Sequence, residues 1–85
     1  MKHAGPEALS AVEELLAGIR GHQGVVERRP GVFYRKGRAF LHFHEDPSGL
    51  HADMRLGATW ERLRVETGAE RQEVLSRLGE ALSKG

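Results

Sequence analysis

The residues of this chain best suited to chemistry are His42, His44, His51 and Asp53, all within GRAFLHFHEDPSGLHADMRL, residues 37–56. Three of the five histidines fall in that stretch. Two histidines separated by one residue project from the same side of a β-strand, so their imidazoles can share one ligand. A third imidazole and a carboxylate facing them complete a donor set suited to zinc or another divalent metal, the candidate cofactor. The same groups could also act without a metal. His44 beside His51, or His42 beside Asp53, forms an acid–base pair in the range where imidazole titrates. Ser48 lies in a turn with no nucleophile-elbow sequence around it and is read as structural. The chain has no cysteine, which excludes disulfides, thiolate metal sites and cysteine nucleophiles.

A β-hairpin must position these groups. Leu41 and Phe43 alternate with His42 and His44, and Leu50, Ala52, Met54 and Leu56 alternate with His51, Asp53 and Arg55, giving each strand one apolar and one polar face. Asp46-Pro47-Ser48-Gly49 has the residue placements of a type I turn. A four-residue loop closed by Glu45 and Leu50 sets Phe43 opposite Ala52 and Leu41 opposite Met54. A slip of one residue would turn the apolar side chains outward, so the pattern selects this register. His44 then faces His51, His42 faces Asp53, and Phe40 faces Arg55.

The rest of the chain supplies a support for that hairpin. Met1–Gly5 reads as a loose tail. Pro6 suits the first position of a helix of about 15 residues, whose stripe is Ala8, Leu9, Val12, Leu15, Leu16 and Ile19. GVVERR (residues 24–29) reads as a strand ending at Pro30-Gly31, and Val32–Arg35 as the next. Lys36-Gly37 is expected to form a two-residue primed turn. That turn would pair Phe33 with Phe40 and Val32 with Leu41, placing Val32, Tyr34 and Ala39 on the core face and both phenylalanines with the histidines. Trp60–Val65 adds a strand whose Leu63 and Val65 face the core and whose Arg62 lies opposite Asp53. Thr67 and Glu70 form a capping box for a closing helix with a stripe of Val74, Leu75, Leu78 and Leu82. The expected fold is a single α+β two-layer domain over residues 1–85: an N-terminal helix, an antiparallel meander of about four strands and a C-terminal helix, both helices on one sheet face.

The opposite face would then be open, displaying Phe33, Phe40 and Trp60 among His42, His44, His51, Asp53, Arg55 and Arg62. Exposed aromatics of this kind mark a contact surface, and the leading reading is a small binding or interaction module that self-associates or meets a protein partner. Aromatics interleaved with arginines also suit single-stranded nucleic acid, but the net charge of +1 gives no general attraction to polyanions. No apolar run is long enough to span a membrane and no signal peptide is evident, so the expected location is the cytoplasm. Abundant arginine and glutamate with few long loops fit a thermophilic source.

The motif Gly37-Arg38-x-Phe40-x-His42-Phe43-His44, followed by Asp53-x-Arg55-Leu56, resembles the small bacterial family labelled "luciferase domain", over roughly Val25–Leu56. Glu27-Arg28 before the proline turn also fits its upstream pattern. Members of that family insert a helix and a loop before a Gly-Trp-Val strand, whereas here only Thr59-Trp60-Glu61 follows a short turn. The resemblance implies a shared fold and a shared site at His42, His44, Asp53 and Arg55. The chain provides no flavin site, ATP-binding motif or luciferin pocket to go with the family label.

Overall fold

The structure, a computed structural model, describes residues 2–83, the side chain of Lys2 excepted. Its elements, in chain order, are β1 (Lys2–His3), α1 (Pro6–Ala11), α2 (Glu13–Arg20), β2 (Val26–Arg29), β3 (Val32–Arg35), β4 (Arg38–Asp46), β5 (Gly49–Leu56), β6 (Thr59–Arg64) and α3 (Gly68–Ser83). The α+β two-layer architecture is the expected one. Strands β2 to β6 form an antiparallel meander of five strands, one more than expected, and the short β1 pairs with β4 besides.

The first helix is not continuous. Val12 leaves the helical region at φ −116° and ψ 28°, and its N–H bonds back to Leu9 O at 3.1 Å in a tightened turn before α2 resumes with Leu16 N–H to Val12 O at 2.9 Å. The stripe survives the break, since Leu9, Val12, Leu15, Leu16 and Ile19 are all buried. The bend seats Leu9 over the β2–β3 turn at Gly31, where a Cβ would meet Leu9 Cδ2 at 2.8 Å. Gly31 also holds φ +76°, so both space and backbone call for glycine. The closing helix has the expected capping box: Glu70 N–H donates to Thr67 Oγ1 at 3.1 Å, and Thr67 N–H to Glu70 Oε1 at 3.0 Å. Val74 and Leu78 are its fully buried residues, with Leu75 and Leu82 packed at the margin.

Both helices cover the sheet face that carries Leu41, Phe43, Ala52 and Met54, each no more than 1% exposed. The β4–β5 register is the expected one, with Leu41 opposite Met54, His42 opposite Asp53, Phe43 opposite Ala52 and His44 opposite His51. Asp46 also pairs with Gly49, so the loop itself shrinks to Pro47-Ser48. The Lys36-Gly37 turn has φ of 53° and 80°, the left-handed pair that a primed turn requires.

The β3–β4 pairing departs from expectation. Arg35 pairs with Arg38 and Tyr34 with Ala39, but the register then shifts, so that Phe33 lies opposite Leu41 and Val32 opposite His42. Phe40 is the extra residue of a bulge, which redirects a side chain relative to strict alternation. Phe33 is 0% and Phe40 4% exposed, and both belong to the helix-side core. Neither is on the open face where alternation put them. Val32, expected on the core face, is buried but pairs with His42 and lies outside the helix-side core cluster. Val32 and Tyr34 thus take the opposite face. The Phe40–Arg55 pair does not form. Arg55 Nε donates to Ala39 O at 3.1 Å instead.

The expected loose tail is also tied down from its second residue on. Lys2 pairs with Glu45 and His3 with His44. Ala4 N–H donates to Phe43 O at 3.0 Å, and Gly5 N–H donates to the Glu45 carboxylate at 2.7 Å. Met1 lies outside the described residues. β1 and β3 therefore lie end to end along one edge of β4, and the handover is at Phe43, whose N–H bonds Gly31 O at 3.1 Å.

One half-buried carboxylate locks α2 to the β2–β3 turn. Glu27 accepts from Arg20 Nε at 2.6 Å and Nη2 at 3.1 Å, and from Gly31 N–H at 3.0 Å. The Arg20 bond, helped by Gly31, outweighs burial and holds the Glu27 carboxyl below its ordinary value of 4.5. A lowered folded-state pKa means the stabilisation is complete above that ordinary value and is lost as pH falls through the lowered one. Glu27→Gln is expected to cost about 1–2 kcal/mol at neutral pH, Arg20 being partly in water. It should also flatten the decline of melting temperature between about pH 5 and pH 3. Thermal melts of both proteins across that range check this, and parallel curves would contradict it.

Candidate functional site

The face away from the helices gathers polar groups because alternation leaves them there. On β4, His42 and His44 flank the buried Phe43. On β5, Asp53 lies between the buried Ala52 and Met54, and on β6, Arg62 stands opposite Asp53 and Trp60 opposite Arg55.

These groups form one hydrogen-bonded line. Arg62 donates to the Asp53 carboxylate from Nε at 2.8 Å and Nη2 at 3.1 Å. His44 Nδ1 stands 2.9 Å from Asp53 Oδ2, and His44 Nε2 stands 3.2 Å from His42 Nδ1. Burial alone would raise the Asp53 carboxyl, but hydrogen bonds from Arg62 and His44, with the Arg62 charge, outweigh it and hold it below its ordinary range. Asp53 is therefore an acceptor only, which makes His44 Nδ1 the donor and leaves the lone pair of a neutral His44 on Nε2. Burial first, then the neighbouring His44, lowers the His42 pKa, so His42 is neutral at pH 7 with one nitrogen free to accept.

A third imidazole completes the group, and it comes from outside the expected set. β1 places His3 beside His44, with ring centroids 4.7 Å from His44 and 5.8 Å from His42. One nitrogen from each of His3, His42 and His44 lies within 4.8 Å of the other two. Nothing in the sequence period marks His3, since a two-residue strand is too short to show one.

The expected members divide as follows. His42 and His44 are central. Asp53 is 8% exposed and is taken up by His44 and Arg62. His51 faces His44 but stands outside the converging group; it is 7% exposed, and its Nδ1 has no hydrogen-bond partner among the described residues. Trp60, 39% exposed, packs against His42 with the rings tilted by 50° and 4.8 Å between centroids, and the Arg55 guanidinium lies 4.6 Å over its ring. Phe33 and Phe40 are absent from this face, being in the core.

Two imidazoles on one tetrahedral zinc at about 2.05 Å have nitrogens about 3.3 Å apart. The His42–His44 separation of 3.2 Å already matches that bite. A change of tautomer in His42 replaces their hydrogen bond with a lone pair on each nitrogen, and a modest rotation of the two rings would direct both at one ion. Asp53 holds the far nitrogen of His44, the carboxylate–histidine arrangement that orients metal-ligating imidazoles. No protein-family model, curated protein or solved structure matches this chain. Among the described residues, no helix is long and apolar enough to cross a membrane.

Proposed function

We propose that this protein is a small metal-binding module that holds a divalent transition-metal ion, zinc by preference, on His3, His42 and His44. The observation that carries the reading is the His42–His44 nitrogen separation of 3.2 Å, with Asp53 fixing the ring of His44. Three neutral imidazoles suit zinc, nickel and copper better than the oxygen-seeking magnesium or calcium. Three protein ligands also leave a fourth position for water or a substrate, as catalytic rather than structural zinc sites do. The resemblance to the luciferase-domain family belongs to this proposal, since three of its motif positions, His42, His44 and Asp53, are in the hydrogen-bonded line and the fourth, Arg55, stacks beside it on Trp60.

Calorimetric titration of chelator-treated protein with zinc and then nickel tests the proposal. Binding tighter than about 1 μM is expected, and it should be lost in a His42→Ala/His44→Ala variant that retains the circular-dichroism spectrum of the parent. An absence of heat, or heat that the variant keeps, would sink the metal reading.

Self-association across the same face is the second reading. With Phe33 and Phe40 in the core, Trp60 is the aromatic that supports it. Sedimentation would then give a mass above one chain that falls to one chain in Trp60→Ala. The loss of two aromatics also weakens base stacking, so nucleic acid is the less supported partner.

A further inference from the structure

We propose that the open coordination position of this centre takes the carboxylate of a small amphipathic acid whose aliphatic tail lies in the groove beside His3. The inference rests on the metal-binding reading and adds the class of ligand. The groove, of about 540 Å³, opens where β1 and β3 meet end to end along β4. Its apolar wall comes from Pro6, Leu9, Pro30 and Val32, and His3 lines it as well. It adjoins the histidine group through His3, and Val32 of its lining pairs directly with His42. A volume of this size accommodates a small ligand, and sites for small ligands are mainly apolar with a few placed polar groups.

Charge selects the head group. Three imidazoles are neutral ligands, and Asp53, the carboxylate bonded to His44, is already matched by Arg62. A divalent ion held there keeps both positive charges uncompensated, which favours an anionic fourth ligand. Of the charged wall residues of the groove, Glu13 and Arg20 pair with one another and Arg20 also with Glu27, which leaves the Arg29 charge to balance the set, so the groove carries no net negative charge against an anion. An acid with a short chain satisfies both halves of the site: oxygen on the metal, hydrocarbon against Leu9 and Val32.

The test uses the full chain loaded with cobalt(II), whose visible absorption reports a change in coordination. Acetate, butyrate, hexanoate and octanoate are titrated in turn. The expected result is the same spectral change for every acid, with affinity rising about fourfold per added methylene as the chain enters the groove. Val32→Thr, which keeps the shape but puts a hydroxyl in the lining, should reduce the octanoate-to-acetate ratio several-fold and leave cobalt affinity unchanged. Val32→Asp should remove chain-length dependence altogether if it folds. Cobalt binding with no response to any acid, or equal affinity for acetate and octanoate, overturns the inference while leaving the metal reading in place. Failure to bind cobalt overturns both.

Discussion

Phe40→Ala is expected to destabilise the protein by about 3–5 kcal/mol, the range for truncating a buried phenylalanine. Phe40 is 4% exposed and belongs to the same buried cluster as Phe33, Leu41 and Phe43, and the Arg35 guanidinium lies 5.6 Å from its ring centroid. Removing the ring would leave a cavity between sheet and helices in a chain of 85 residues. Stability for domains of this kind is about 5–15 kcal/mol in total, so the variant should melt far below the parent and lose a large part of its denaturant midpoint. Trp60→Ala, at an exposed position, serves as the control and should change stability by about 1 kcal/mol or less. Urea unfolding of the two variants beside the parent decides the matter. Strict strand alternation would put Phe40 on the surface, where truncation is nearly neutral. A change below about 1 kcal/mol for Phe40→Ala would therefore return it to the open face and remove the bulge.

The second large effect concerns which histidines bind metal. His3→Ala is expected to weaken zinc binding about 100-fold or more, since it removes one of three ligands, whereas His51→Ala should leave affinity within about threefold. The expected rank rests on position, because His3 converges with His42 and His44 while His51 does not. Asp53→Asn should fall between them, at about 10–100-fold, because it touches the metal only through the orientation of His44. Competition against a chromophoric chelator measures all three on one scale. If His51→Ala proves as damaging as His3→Ala, the centre is the hairpin set of His42, His44, His51 and Asp53 that spacing alone suggests.

Some of this was legible in the residues and some was not, for identifiable reasons. The central hairpin could be read because Leu41, Phe43, Ala52 and Met54 alternate cleanly with polar neighbours, so only one register buries them together. The Lys36-Gly37 turn and the Thr67–Glu70 cap could be read because each rests on local chemistry. The bulge could not. Val32-Phe33-Tyr34 and Ala39-Phe40-Leu41 are each three consecutive apolar residues, and a run without alternation carries no information about which face is buried. The helix-side core took Phe33 and Phe40, and Val32 and Tyr34 went to the other face, Val32 buried there as well. The break at Val12 was equally silent, because the buried stripe is the same on either side of it. His3 was missed because its place depends on the backbone of β4, some forty residues away, and on no pattern of its own.

That separation bears on what an ion would do to the unfolded chain. His3 and His44 are neighbours across β1 and β4, so a metal gripping both would close a loop of about forty residues. In the chain-entropy account, a crosslink of that span removes freedom from the denatured ensemble equivalent to about 4 kcal/mol. In a protein with no cysteine, such an ion would take the place of a disulfide: a removable tether whose strength is set by metal supply instead of by redox state.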